Sequence, residues 1–200
     1  MLALCWHPSR PDTIGLTLSS GEVCLCQSTS DKLWSGKGVI LTTVYTHSLE
    51  PWMIAFAAPQ GSQTDVLSGG DDQILQRSSV SDDGDENAGV TLWEDRRIHQ
   101  AGVTAILPLT PDLIVTGSYD DHIRLISAPA AGGRRQALAE ENLGGGVWRL
   151  KLLEDEAQVA ASSSESETTA SALSDANRYV VQNQYSFRPP PFYFVLTAVL

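Results

Sequence analysis

Three stretches of the chain follow one pattern, in which an apolar strand leads through small residues into a tight polar turn and a second, alternating strand. The stretches cover 14–26, 65–75 and 113–125. Aligning Ser19, Ser68 and Thr116 gives steps of 49 (68 − 19) and 48 (116 − 68) residues. Aspartates in such turns accept hydrogen bonds from backbone amides, so the pattern predicts β-hairpins that recur at a nearly constant interval.

A further short apolar run precedes each hairpin, and a fourth follows the third hairpin. The runs cover 2–6, 52–58, 103–109 and 147–152. Short strands separated by turn residues indicate an all-β chain, and one blade of a WD-repeat β-propeller takes roughly 40–45 residues. The sequence therefore predicts an incomplete WD-repeat β-propeller, with about two to three blades and the first strand of another.

Polar and low-complexity segments divide the chain. We expect 1–157 to form the partial propeller, with an aspartate-rich polar insertion at 78–89. The segment 158–177 is rich in Ser, Glu and Thr and is expected to be a linker. The segment 178–200 does not resemble another blade, so an aberrant or disordered apolar tail is expected there. The stretch 136–143 is interpreted as a connection between blades.

Composition narrows the classes of partner. The chain has 24 acidic and 13 basic residues, a formal charge of −11, and would be repelled by phosphate backbones and anionic lipid. Neither nucleic acid nor a membrane is therefore an expected partner. The apolar end at 192–200 is also shorter than the roughly 20 residues that a membrane-spanning helix needs. Three cysteines without a disulfide framework favour a reducing compartment, so a cytoplasmic protein is expected.

His99 and Asp121 are the first candidate site residues. His99 precedes the third inner run, and Asp120 and Asp121 lie in the following hairpin turn. A buried bond between His99 and Asp121 would lock one blade together, and a catalytic His–Asp pair is the alternative. The chain has no G-x-S-x-G elbow, P-loop or complete calcium loop, so neither a cofactor nor a metal is predicted.

The string from Gly145 to Lys151 is the most distinctive in the chain. Strand alternation would place Val147, Arg149 and Lys151 on one face and Trp148 on the other. One interpretation puts Trp148 in the core between blades. The other has Arg149 or Lys151 facing the central channel, where a basic side chain could bind an anionic group.

Taken together, these strings resemble the fungal branch of the diphthine methylesterase family, WD-repeat proteins of diphthamide biosynthesis. The resemblance is carried by the segments 68–72, 93–104, 116–121 and 145–151 and covers about residues 50–153. It implies hydrolysis of the methyl ester on methylated diphthine, the modified histidine of translation elongation factor 2. It assigns no catalytic residue, and His99, Asp121 and Arg149 are the candidates for the neighbourhood of the site.

The chain departs from the family pattern after Lys151. A complete family member should continue into further blades after Lys151, whereas this chain enters the low-complexity stretch. We therefore expect a shortened or mis-spliced gene product, which could lack activity. A non-catalytic WD-repeat scaffold is the alternative function, because the fold alone does not determine function.

Overall fold

The computed structural model describes residues 1–29, 34, 38–57, 64–80, 89–153, 176–183 and 193–199. Within these ranges the regular structure consists of fifteen β-strands, without a helix. None of the described residues belongs to a helix long and apolar enough to cross a membrane. The prediction of an all-β chain is confirmed.

Four antiparallel sheets follow one another along the chain, each a meander in which sequence neighbours pair. Blade 1 contains β1 (Leu4–Trp6), β2 (Thr13–Thr17), β3 (Glu22–Ser28) and β4 (Val39–Thr46). Blade 2 contains β5 (Pro51–Phe56), β6 (Thr64–Gly70), β7 (Leu75–Val80) and β8 (Val90–Asp95). Blade 3 contains β9 (Val103–Thr110), β10 (Leu113–Ser118), β11 (His122–Ser127) and β12 (Gln136–Asn142). Blade 4 contains β13 (Val147–Leu153), β14 (Ala176–Asn183) and β15 (Tyr193–Val199).

The central hairpins of blades 1, 2 and 3 share one turn geometry. The last paired residues before the turns are Thr17, Gly69 and Gly117, opposite Val23, Leu75 and Ile123. The fourth residue after each of the first three has a positive φ: Gly21 (100°), Gln73 (65°) and Asp121 (67°). The turn requires a left-handed residue at this position, which only Gly21 adopts without strain.

The strand register also corrects the alignment of the first repeat. Ser68 pairs with Gln76 and Thr116 with Arg124, and in blade 1 the same place is held by Leu16, which pairs with Cys24. The steps are therefore 52 (68 − 16) and 48 (116 − 68) residues. Aligning Ser19 with Ser68 was wrong by three positions, because Ser19 lies in the turn and only resembles Ser68 chemically.

The blades pack face to face through three buried apolar clusters. Between blades 1 and 2 the cluster includes Val23, Leu25, Val44, Ile54, Phe56 and Val66. Between blades 2 and 3 it includes Leu67, Leu75, Trp93, Val103, Ile106, Ile114 and Ile126. Between blades 3 and 4 it includes Val115, Ile123 and Val147. Each large aliphatic side chain buried in this way contributes roughly 1.5–3 kcal/mol, so the stacking of sheets is the main source of stability.

Two glycines set how closely the blades approach. A Cβ atom on Gly69 would lie 2.6 Å from Cγ1 and 2.7 Å from Cβ of Val103, at the start of the next inner strand. Gly117 has the same relation to Val147 one blade later. Repeated stacking of four-stranded meanders through their inner strands is the architecture of a β-propeller.

A buried arginine joins blades 2 and 3. Arg77 in β7 is 0% exposed and forms an ion pair with Asp65, to which its Nε donates at 2.9 Å. Its Nη1 donates to the carbonyl oxygens of Pro111 at 2.7 Å and of Ala128 at 3.1 Å, both in blade 3. The guanidinium thus satisfies groups in two blades at once.

Two segment assignments from the sequence need correction. The stretch 136–143, interpreted as a connection, contains β12, the exposed outer strand of blade 3. Edge strands that face solvent carry little apolar periodicity, so the pattern gave no strand signal. The polar insertion was placed at 78–89, but Ser78 and Ser79 are buried in β7, which continues to Val80. Residues 81–88 of the predicted insertion lie outside the described residues.

The end of the chain also differs from the expectation of an aberrant or disordered tail. The backbone of β14 pairs with β13, and β15 pairs with β14. Aromatic and β-branched residues from Tyr193 to Val199 favour a strand. The predicted linker at 158–177 lies almost entirely outside the described residues, and the domain boundaries stay predictions.

Candidate functional site

The inner strands of blades 2, 3 and 4 share an irregularity near their first residue. The register of each strand with its neighbour slips by one position at Trp52 in β5, Thr104 in β9 and Trp148 in β13. A β-bulge of this kind redirects the side chain of the extra residue and is common beside functional sites. Three consecutive blades therefore present an equivalent bulged residue.

Two of these residues meet across the blade that lies between them. The rings of Trp52 and Trp148 have centroids 5.9 Å apart with an angle of 72° between the planes. Tyr119, from the hairpin turn of blade 3, lies 5.0 Å from Trp148 at 89°. We call Trp52, Tyr119 and Trp148 the aromatic cluster. All three side chains are half-buried, and each comes from a different blade.

A carboxylate and two glycines complete this neighbourhood. Trp52 Nε1 donates to Oδ1 of Asp71 at 2.6 Å. A Cβ atom on Gly102 would come within 2.6 Å of that same oxygen and within 3.2 Å of Tyr119 Cδ2. A Cβ atom on Gly146 would lie 3.1 Å from Tyr119 Cδ1. Glycine at both positions lets the Tyr119 ring lie against the backbone at the start of the inner strands.

Trp148 differs from the prediction that placed it in the core between blades. Val147, which is 0% exposed, fills that core, and the bulge turns Trp148 to the aromatic cluster. The simple alternation of Val147 with Arg149 and Lys151 is wrong for the same reason, since Arg149 and Lys151 are exposed. That Arg149 or Lys151 faces the central channel and binds an anionic group there stays a prediction.

His99 is buried but does not bond to Asp121. Its Nε2 lies 2.9 Å from Oγ1 of Thr116, and its Nδ1 has no hydrogen-bond partner within the described residues. The neighbouring aspartate in the turn, Asp120, bonds to an arginine instead. Its carboxylate accepts two hydrogen bonds from Arg124 Nη1, at 2.8 and 2.9 Å. The predicted lock between His99 and Asp121 was therefore wrong, because Asp121 holds the left-handed position of the turn and the neighbouring Asp120 carboxylate bonds to Arg124.

The charge state of His99 follows from its burial. Removal from water lowers the pKa of His99 from 6.5 to about 4, and the nearby Arg124 guanidinium acts in the same direction. Burial alone would raise the pKa of the Asp120 carboxyl, but the hydrogen bond from Arg124 holds it below its ordinary value. His99 is thus neutral at pH 7, and Asp120 is ionised.

Acidification is expected to destabilise the chain through His99. Between pH 6.5 and 4 the unfolded state binds a proton that the folded state excludes, so the free energy of unfolding falls as pH falls. The loss should reach about 2 kcal/mol between pH 7 and pH 5. Urea unfolding of the wild-type chain and of His99→Gln at both pH values measures this. Equal losses in the two proteins would exclude His99 as the source.

Sequence reasoning missed a complete Ser–His–Asp arrangement in blade 2. His47 Nε2 lies 2.9 Å from Ser68 Oγ, and His47 Nδ1 lies 2.9 Å from Asp72 Oδ1. Burial opposes ionisation of Asp72, but its bond with His47 holds the pKa of the carboxyl below its ordinary range. His47 precedes β5 as His99 precedes β9, so the repeat itself was the signal that could have identified it.

These three side chains have the spacing of a nucleophile, a base and an orienting acid. Ser68 is only 1% exposed and His47 only 3%, so an ester on a protein surface cannot reach the Ser68 hydroxyl. The arrangement therefore has a structural role. Through His47 it joins the segment before β5 to strand β6 and to the turn between β6 and β7. Among the described residues, no three His, Cys, Asp or Glu side chains come together as metal ligands would.

Similar proteins agree with this architecture. The chain is 34% identical over 119 residues to a diphthine methyltransferase from Saccharomyces cerevisiae, covering 52% of this chain and 29% of that protein. The chain is a relative of the diphthine methyltransferases. It is also 30% identical over 160 residues to the Schizosaccharomyces pombe protein of that name, covering 77% and 42%. For the human protein the identity is 35% over 107 residues, covering 52% and 21%.

The family resemblance inferred from the sequence is thereby confirmed, and the chain spans less than half the length of these relatives. No family model matches the chain. The crystal structure of the WD40 β-propeller domain of Doa1 superposes with a TM-score of 0.52 at 15% identity, covering 86% of this chain and 44% of that one. At that identity the likeness shows the fold alone, and it confirms an incomplete WD-type β-propeller. The described residues form three four-stranded blades and three strands of a fourth sheet, where only the first strand of a further blade was predicted.

Proposed function

We propose that the protein acts in diphthamide biosynthesis as a diphthine methyl ester hydrolase, with translation elongation factor 2 as its protein substrate. The observation that carries the proposal is the similarity of the chain to the diphthine methyltransferases from two yeasts and human. A modified histidine on a folded protein requires a surface site rather than a deep cavity. The start of the inner strands offers such a surface, because the half-buried aromatic cluster and the exposed Arg149 lie there.

Ester hydrolysis needs an activated water and a donor for the negative charge that develops on the carbonyl oxygen. Of the three candidates, Arg149 is exposed, Asp121 is half-buried in a strained turn, and His99 is buried. We therefore propose that Arg149 stabilises the oxyanion. Asp121 remains a candidate for positioning the substrate, and His99 could act only through its neighbours.

Methanol release tests the proposed reaction. The protein is mixed with elongation factor 2 that carries methylated diphthine, and methanol and the mass of the modified histidine are measured. Hydrolysis should give one methanol for each free carboxylate formed, without any added methyl donor or acceptor. Transfer of the methyl group to another molecule, or no reaction by the folded protein, would contradict the proposal.

Arg149→Ala is expected to lower kcat/KM for methanol release about 100-fold, because loss of one oxyanion donor has an effect of that order. Lys151→Ala is the matched control, since Lys151 is exposed on the same strand two positions further along. The control should change the rate by less than about threefold. Equal losses in both variants would indicate general charge attraction of the substrate instead of a specific contact.

A non-catalytic WD-repeat scaffold is the alternative function. It is favoured by the burial of the Ser68–His47–Asp72 arrangement, because burial keeps the Ser68 hydroxyl and its neighbouring base away from a protein substrate. A protein that binds elongation factor 2 stably but releases no methanol would support this alternative. Binding with turnover would support the hydrolase.

A further inference from the structure

The aromatic cluster joins three blades but is separate from the buried apolar packing between them. None of its three rings belongs to the buried clusters that hold neighbouring blades together. Half-buried tryptophans on a propeller surface leave apolar area in contact with water, which the fold itself does not require. Two blades nevertheless place a tryptophan at the same bulge, and Tyr119 from blade 3 packs against Trp148.

The geometry of the rings suits a positively charged group. The plane of Trp148 is 72° from that of Trp52 and 89° from that of Tyr119, so the rings form walls at near right angles instead of a stack. The faces of aromatic rings are negative and attract a cation near the ring centre. Methylated and quaternary ammonium groups are the cations that such walls recognise, because they also gain apolar contact.

A negative charge beside the rings also favours a cationic ligand. The Asp71 carboxylate is tied to Trp52 Nε1 at 2.6 Å, which fixes a negative charge at the edge of the cluster. The carboxylate is only half-buried, so it can still contact a ligand. Coulomb attraction at a surface site with an effective dielectric constant of about 20 is several times stronger than in bulk water. A neutral ligand of the same shape would gain none of this.

A second polar group is available for the rest of the ligand. Trp148 Nε1 is buried and has no hydrogen-bond acceptor within the described residues. Elsewhere the indole nitrogens of Trp34 and Trp93 donate to the backbone carbonyls of Pro11 and Pro129. A buried donor without a partner is costly, and an acceptor oxygen on a bound ligand would remove that cost.

The chain uses the same attraction internally. The guanidinium of Arg135 lies 5.4 Å from the ring centroid of Trp93, within the range of a cation–π contact.

We propose that Trp52, Tyr119 and Trp148, with the Asp71 carboxylate, form a binding site for a methylated or quaternary ammonium group that has an oxygen acceptor nearby. This site goes beyond the hydrolase proposal, because binding of the cation requires no ester.

The test compares choline with its neutral analogue 3,3-dimethylbutan-1-ol. Each is titrated into the ¹⁵N-labelled 200-residue chain at constant ionic strength, and the indole N–H resonances are followed. Choline should shift the resonances of Trp52 and Trp148 and bind about tenfold more tightly than the analogue. Equal affinities, or no shift of either resonance with choline, would overturn the proposal.

Variants locate the binding. Trp148→Leu should weaken choline binding at least about tenfold and Asp71→Asn about threefold, whereas Trp6→Leu, an exposed tryptophan in another aromatic pair, should leave it unchanged. Trp148→Phe retains a ring and should bind with intermediate affinity, which covers the case that the leucine variant does not fold. Unchanged binding in a folded Trp148 or Asp71 variant would overturn the site. Loss of methanol release with intact choline binding would instead count against the hydrolase alone.

Discussion

Arg77→Ala is expected to lower the free energy of unfolding by about 3–5 kcal/mol, because it removes one partner of a buried ion pair. Asp65 would keep a largely buried carboxylate without its counter-charge. The carbonyl oxygens of Pro111 and Ala128 would also lose their donor, so the contact between blades 2 and 3 would weaken. Urea unfolding followed by tryptophan fluorescence measures the change.

Arg97→Ala is the matched control, since the Arg97 side chain is 81% exposed and its ion pair with Asp95 is long, at 3.7 Å. Its effect should stay within about 0.5 kcal/mol. If Arg77→Ala destabilises the chain no more than Arg97→Ala, then Arg77 does not join the two blades as described.

Gly69→Val is expected to cost about 3 kcal/mol, because the new side chain would occupy the space of Val103 in the next blade. The backbone at Gly69 is not left-handed, so the cost arises from crowding and not from a forbidden φ. The urea unfolding midpoint should fall while the dependence on urea concentration stays the same.

A double substitution at Gly69 and Val103 provides the control for this prediction. Gly69→Ala combined with Val103→Ala should be less destabilising than the sum of the single changes, by about 0.5–1 kcal/mol, because the second change removes Cγ1 of Val103 from the contact. Strict additivity, or a Gly69→Val variant as stable as the wild type, would contradict the close approach of the blades.

The repeat made the hairpins and inner strands predictable. Apolar runs and short polar turns recur, with aspartates in the turns of blades 2 and 3, and the observed strands follow them in all three four-stranded sheets. The turn register was less predictable, because Asp120 and Asp121 are identical in chemistry and only the backbone distinguishes them. Asp121 adopts the positive φ, whereas Asp120 points its carboxylate at Arg124. One position decided which aspartate could interact within the blade.

The aromatic cluster could not be predicted from local pattern. Trp52 and Trp148 are 96 residues apart (148 − 52), and they meet only because each lies on a bulge and blade 3 separates them by a single inner strand. Alternation along a strand assumes a regular register, so it assigned Trp148 to the core. The glycines beside Tyr119 give no sequence signal beyond that of an ordinary turn.

The contact between Trp52 and Trp148 is the most direct test of the whole arrangement. It exists only if blades 2, 3 and 4 stack in order with bulges at equivalent positions. Nuclear Overhauser spectroscopy of the folded chain should show cross-peaks between the ring protons of these two indoles and between Trp148 and Tyr119. A folded chain in which Trp52 and Trp148 show no such cross-peaks, each contacting other residues instead, would contradict both the propeller stacking and the site built on it.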